Sequence, residues 1–550
     1  MRTTRRVLIG GLICATLLML ATACGGGSDG TATTGASPSG PQKGGTLVMA
    51  YSYEPSSLDP AVSWDVLPWQ IQQTIFDNLY RYKMKPGVEG TELEPSIAEA
   101  MPEITNGGKT YLIRLKKGVK FAPPVDREVT AEDFKYSFER MMKLPMAPGT
   151  YFYTGIVGAA DFQAGKADTV AGYKVVDPST IQIELTQPDA SFLYILSMQF
   201  TDVVAKEWVE KWGEKKIARH PLGSGPYTLE SWTTGREIVL KRNPNYRAPE
   251  EVWLDTIEYQ LAIPQATAFL KIQRDEVDVL GLGIPPADMA RVKADPKLKD
   301  SVYSQPLIGL ACLAMDVNAK PFDNVKVRQA ISWAVNRDKL IKVMGGGPTP
   351  LYQTIPAGCP GHVEGKQYYG YDPEKAKALL AEAGYAQGFE TTLYSSNVDP
   401  VPKIMQSVQY DLQTIGIKAA VRTMAGPTFY GSATTPGKLA FHMWGWFMDF
   451  PDPSDFIMPL YSKAYIGEGG SNTSGWSDPG VEALLAEAQT MYDQPEARLA
   501  KFAEMQDIIM EAAPTVILYQ ENLTTMRAED VGGFYLHPVY NFQPQAYWKN

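Results

Sequence analysis

The sequence predicts an α/β protein of two lobes that close like a clamshell, with an additional hairpin-rich region. Three observations point there. At 550 residues the chain is too long for one hydrophobic core and suits two or three domains. Its second half alternates capped helices with short apolar strands, the spacing of α/β units. Its first half carries several β-hairpin signals.

In chain order, Arg2, Arg5 and Arg6 form a basic opening, and residues 7–20 are apolar but short for a membrane span. Ala21-Thr22-Ala23 then leads into Cys24. The pattern resembles a bacterial lipoprotein signal, residues 1–23, cleaved so that Cys24 becomes the lipidation site. An ordinary secretory signal that happens to hold a cysteine is the alternative. Residues 24–43 contain little but Gly, Ser, Thr, Ala and Pro and read as a flexible tether.

The body opens with a strand at 44–50 and a loop at 51–60 that holds Tyr53 and Glu54. A helix is expected over 69–79, and a hairpin across Lys116-Lys117-Gly118 joining 111–115 to 120–121. Thr130 caps a helix, with Asp133 at its third position and Phe134, Phe138 and Met141 on one face. Hairpins follow across Asp177-Pro178-Ser179 and across Thr233-Thr234-Gly235. In the second half, Asp323 or Asn324, Asn336, Asp372 and Asp478 each start a helix, the last two with Pro at the first helical position. Helices at 401–415 and 497–510 precede strands at 417–421 and 516–519. Such alternation predicts a largely parallel sheet.

The net charge of −10 argues against non-specific nucleic-acid binding. Cys312 and Cys359 either pair or are simply buried. The four histidines are scattered, with no metal-ligand spacing. Nucleophile elbow, HExxH, phosphate loop and dinucleotide fingerprint are all missing, so nothing supports an enzyme or a cofactor. The informative stretch is 441–456, FHMWGWFMDFPDPSDF. It sets Trp444, Gly445 and Trp446 beside one acid, Asp449, before a turn at Pro451 and Pro453. Taken alone it reads as a buried strand with a proline turn. Its place after an α/β strand, where open sheets bind ligands, favours a pocket for an organic cation held by Asp449. Asp449, Asp452 and Asp455, spaced by three, read as turn formers rather than a calcium loop.

Several segments together resemble the extracytoplasmic solute-binding proteins of ABC importers, in the peptide- and nickel-binding class. They are GGTLVMAYSYEPSSLDP (44–60), FDNLYRY (76–82), GSGPYTLESW (223–232), LKRNPNY (240–246), PFDNVKVRQAISWAVNRDKL (321–340), YDPEKAKALLAEAGY (371–385) and WGWFMDFPDPSDF. The resemblance implies a periplasmic-binding-protein fold with a mixed α+β domain inserted in the first lobe. Lobe I would comprise 44–80, 220–302 and 521–550, the insertion 81–219, and lobe II 303–520. It also implies a monomeric receptor, lipid-anchored on the outer face of the bacterial cytoplasmic membrane, that delivers peptides to ABC permease subunits. Asp449 would pair with the ligand ammonium, and Trp444, Gly445, Trp446, Tyr53 and Glu54 would complete the site. Dipeptide-binding members carry an Arg after the strand matching 391–394; here Ser395-Ser396-Asn397 follows, which leaves longer peptides or other solutes open. An oligosaccharide or chelated nickel is the alternative cargo. A surface lipoprotein that works as a sensing or interaction module is the alternative of another class.

Overall fold

Three sheets organise residues 41–550, the part of the chain that the computed structural model describes. The signal segment, Cys24 and most of the tether lie outside the described residues. The first sheet has the order Val279–Leu280, Thr46–Ala50, Thr256–Gln260, Glu237–Arg242, Tyr227–Thr233. Thr46–Ala50 runs parallel to both its neighbours, and the remaining pairs are antiparallel. Alternation drives it: Leu47, Met49, Ile238, Leu240, Ile257 and Tyr259 all turn into one core.

The second sheet is antiparallel, in the order Glu103–Thr105, Thr110–Arg114, Thr180–Glu184, Tyr173–Asp177. The helix Ala131–Lys143 covers it, with Phe138 stacked on Tyr173 at 4.9 Å between ring centres. The Thr130 N–H and hydroxyl both donate to Asp133, as the capping pattern predicts. The hairpin expected across Lys116-Lys117-Gly118 does not form. Thr110–Arg114 turns back onto Glu103–Thr105 instead, across Asn106-Gly107, the stronger turn signal. Both residues adopt the left-handed φ such a turn requires, 53° and 63°.

The third sheet has the order Thr349–Pro350, Thr515–Gln520, Gly309–Met315, Phe441–Phe447, Glu390–Ser396, Lys418–Met424. It is mixed, which corrects the largely parallel sheet expected. Glu390–Ser396 pairs parallel with both neighbours, but Gly309–Met315 is antiparallel to both of its own. Gly309–Met315 follows the strand Val302–Pro306 rather than a helix, so no crossover fixes it parallel. Helix starts fall where expected. Asn324, Asp372 and Asp478 accept from Lys326, Lys375 and Gly480 N–H at 3.0, 2.9 and 2.7 Å. The first helix is Val66–Ile75, earlier than expected, because Asp65 caps it and Phe76 is extended.

Two α/β lobes result, with the antiparallel region as an addition to the first. Val302–Pro306 and Asn522–Met526 pair antiparallel as a separate two-stranded ribbon. Beside that pair, Leu307 N–H donates to the Glu521 carbonyl at 2.8 Å. Cys312 and Cys359 are free thiols buried in one core. Among the described residues no helix is long and apolar enough to cross a membrane.

Candidate functional site

The strand Phe441–Phe447 separates two environments by its pleat. Phe441 and Met443 enter the lobe core, where Phe441 packs on Phe322 at 5.2 Å between ring centres. His442 is fully buried, bonded to the Leu439 carbonyl and Thr473 hydroxyl at 3.1 and 3.0 Å. Burial pushes its imidazole down to about 4, so it is a neutral structural group. Trp444 and Trp446 are half-buried on the other face, and Phe447 is exposed. The indole N–H groups of both tryptophans are shielded from solvent; that of Trp444 has no hydrogen-bond acceptor among the described residues, and that of Trp446 favours the charge of Asp455. Gly445 lies between them; a Cβ there would stand 2.8 Å from the Leu310 carbonyl oxygen, so the backbone itself forms the wall.

Beyond the strand the three acids part company. Asp452 grips Arg498 through two bonds of 2.6 and 2.8 Å and accepts from Ser454 N–H at 2.9 Å, which starts the helix Ser454–Tyr461. Asp455 is buried and accepts the Asp449 N–H at 2.7 Å. The Asp449 carboxylate has no cationic partner among the described residues; the indole of Trp64 alone favours its charge. Burial raises it to about 7. Asp455 is raised too, by burial first and by the neighbouring Asp449 second.

Asp449 opens onto a cavity of about 420 Å³. Trp64, Trp69 and Gln70 form one wall, Gly445 and Trp446 another, and Tyr540 and Asn541 close it from the C-terminal segment. A second cavity of about 220 Å³ shares Gly445 and Phe447 with the first. Trp444, Tyr430, Tyr519 and Glu521 line it.

The structure thus brings Asp449, Trp446 and Gly445 to one cavity and Trp444 to the adjoining one. Tyr53 and Glu54 belong to neither. Glu54 holds Arg219 at 2.6 Å and accepts the Trp232 indole N–H and the Gly235 N–H at 2.8 and 2.9 Å. Its carboxylate ties the 51–60 loop to the hairpin turn at Gly235, a role set by an arginine distant in sequence. Tyr53 packs against the first lobe's core, and burial pushes its phenol up to about 12. Sequence reading missed Trp64, Trp69, Tyr540 and Glu521. The two tryptophans flanking the Asp65 cap were a usable signal; for Tyr540 and Glu521 no local pattern exists. No group of three or more His, Cys, Asp or Glu among the described residues could hold a metal ion.

Comparison with known proteins bears on this geometry. A family model described as bacterial extracellular solute-binding proteins, family 5 Middle, matches residues 92–468. The chain is 30% identical to the dipeptide-binding protein of Escherichia coli (strain K12) over 90% of this chain and 92% of that one. It is 31% identical to heme-binding protein A of Haemophilus influenzae, over 92% of each. Among solved structures, clavulanic acid biosynthesis oligopeptide binding protein 2 superimposes with a TM-score of 0.84 at 25% identity, covering 92% of this chain and 96% of its own.

Proposed function

Because this chain belongs to the bacterial extracellular solute-binding proteins, family 5, we propose that it is the peptide receptor of an ABC importer. The observation that carries the reading is Asp449: a carboxylate without a cationic partner, facing a cavity walled by aromatic residues from separate parts of the chain. A peptide ammonium there supplies the missing cation, and the rings of Trp64 and Trp446 favour positive charge near their faces. The half-buried Gly445 backbone, which lines both cavities, offers main-chain groups to an extended ligand. Relatives named for binding dipeptides and oligopeptides support the same class of cargo.

In this reading lobe I comprises 44–80, 220–302 and 521–550, with 81–219 inserted in it, and lobe II is 303–520. In this division the chain crosses between the lobes at the paired strands Val302–Pro306 and Asn522–Met526, and closure is a hinge motion at these crossings, driven by ligand contacts from both sides. Cys24 carries the lipid, and the monomer hands its cargo to permease subunits at the membrane. Mass spectrometry of ligand released by denaturing the purified protein tests the cargo: peptides are expected, and sugars or a nickel chelate overturn the peptide assignment. For the anchor, Cys24→Ala should move the protein from the membrane to the soluble fraction; unchanged retention rejects it.

A further inference from the structure

Glu521 occupies an unusual place. It is the single residue between Thr515–Gln520, the end of the second lobe's sheet, and Asn522–Met526, the strand of the crossing. Its backbone is held by Leu307. Its side chain has no ion pair or hydrogen bond among the described residues, and burial raises its carboxyl above the usual range. It faces the 220 Å³ cavity, whose other walls include the rings of Tyr430, Trp444 and Tyr519. Glu521 is the one charged residue there, and no Lys, Arg or His lines either this cavity or its neighbour. Both cavities therefore carry negative potential with no fixed cation to offset it. A ligand carboxylate entering them would meet repulsion, and a second positive group would be attracted.

Resting on the receptor reading above, we propose that the smaller cavity is a second cation subsite. In it Glu521 and the surrounding rings take a basic side chain, or a second amine, of the ligand whose ammonium sits at Asp449. The two cavities share Gly445 and Phe447 and therefore adjoin, and an extended peptide, advancing about 3.4 Å per residue, runs from one into the other within a few residues. The preferred cargo is then a peptide with a basic residue close to its free amine. Because Glu521 stands at the crossing, a cation bound there also touches the segment that must flex on closure.

Calorimetry on the purified protein tests this with tripeptides carrying Lys, norleucine or Glu at the second or third position. Lys peptides should bind at least tenfold tighter than norleucine peptides, and Glu peptides weakest. Glu521→Gln should bring the Lys-to-norleucine affinity ratio down to about one. An unaltered Lys-to-norleucine ratio in the variant overturns the subsite while leaving the receptor reading intact. Should no peptide bind, the receptor's peptide assignment fails, and the subsite is judged with 1,5-diaminopentane against pentylamine. Tighter binding of the diamine, lost in Glu521→Gln, supports the subsite; equal binding of the two amines overturns it.

Discussion

Asp449 and Asp452 stand three residues apart in one turn, yet they meet opposite fates. Asp452 is buried against Arg498, with two bonds below 2.9 Å and a helix start to hold. Its charge is matched inside the fold and has nothing left to offer a ligand. Asp449 is set beside a cavity, its backbone pinned by Asp455 and its carboxylate left without a cation. A buried carboxylate with its own arginine maintains structure; one with none is costly unless something else completes it. The same contrast separates Glu54, bound by Arg219, from Glu521, bound by nothing in the described chain.

Substitution should separate the two acids most sharply at Arg498. Arg498→Ala leaves Asp452 buried and unpaired, so it should destabilise the fold by about 3–5 kcal/mol. Chemical denaturation reads the loss; a shift below 1 kcal/mol would erase the distinction. At Asp449 the sign reverses. Its carboxyl is raised to about 7 in the folded protein, against about 3.9 unfolded. The raised group contributes stability that is fully present below about pH 4 and is lost as pH rises through 7. Asp449→Asn should therefore stabilise the ligand-free protein at pH 8, by roughly 1–3 kcal/mol, and make little difference at pH 4. Melting curves at the two pH values check this, and equal shifts at both contradict it.

The smallest effect is expected at Glu54. Glu54→Gln weakens a partly exposed pair with Arg219 and should cost about 1 kcal/mol or less. Ligand affinity should change less than threefold. A large loss of affinity would return Glu54 to the binding surface and blur the contrast with Asp449.

Local chemistry made much of the fold legible. The caps at Asn324, Asp372 and Asp478 and the hairpins at 177–179 and 233–235 depend on neighbours within a few residues, and they stand where the sequence puts them. The strand before Asp449 was equally readable. What failed was long-range. The antiparallel placement of Gly309–Met315 depends on strands from far along the chain. Glu54 looked available because Arg219 is remote, and Glu521 looked ordinary because nothing nearby announces that its side chain lacks a partner. Around the proposed site, Asp449 stands among aromatic residues that are adjacent in sequence, while the opposite wall of Trp64, Trp69 and Tyr540 exists only once the chain has folded.

Calorimetry on Asp449→Ala with a peptide bearing a free amine and with its N-acetylated counterpart tests the central claim most directly. Loss of a charge-assisted bond of about 1.5–3 kcal/mol predicts that the free-amine peptide weakens by roughly 10- to 150-fold. The acetylated peptide should bind the wild type and the variant alike. Equal affinities of the free-amine peptide for both proteins would contradict the role of Asp449 as the ammonium acceptor.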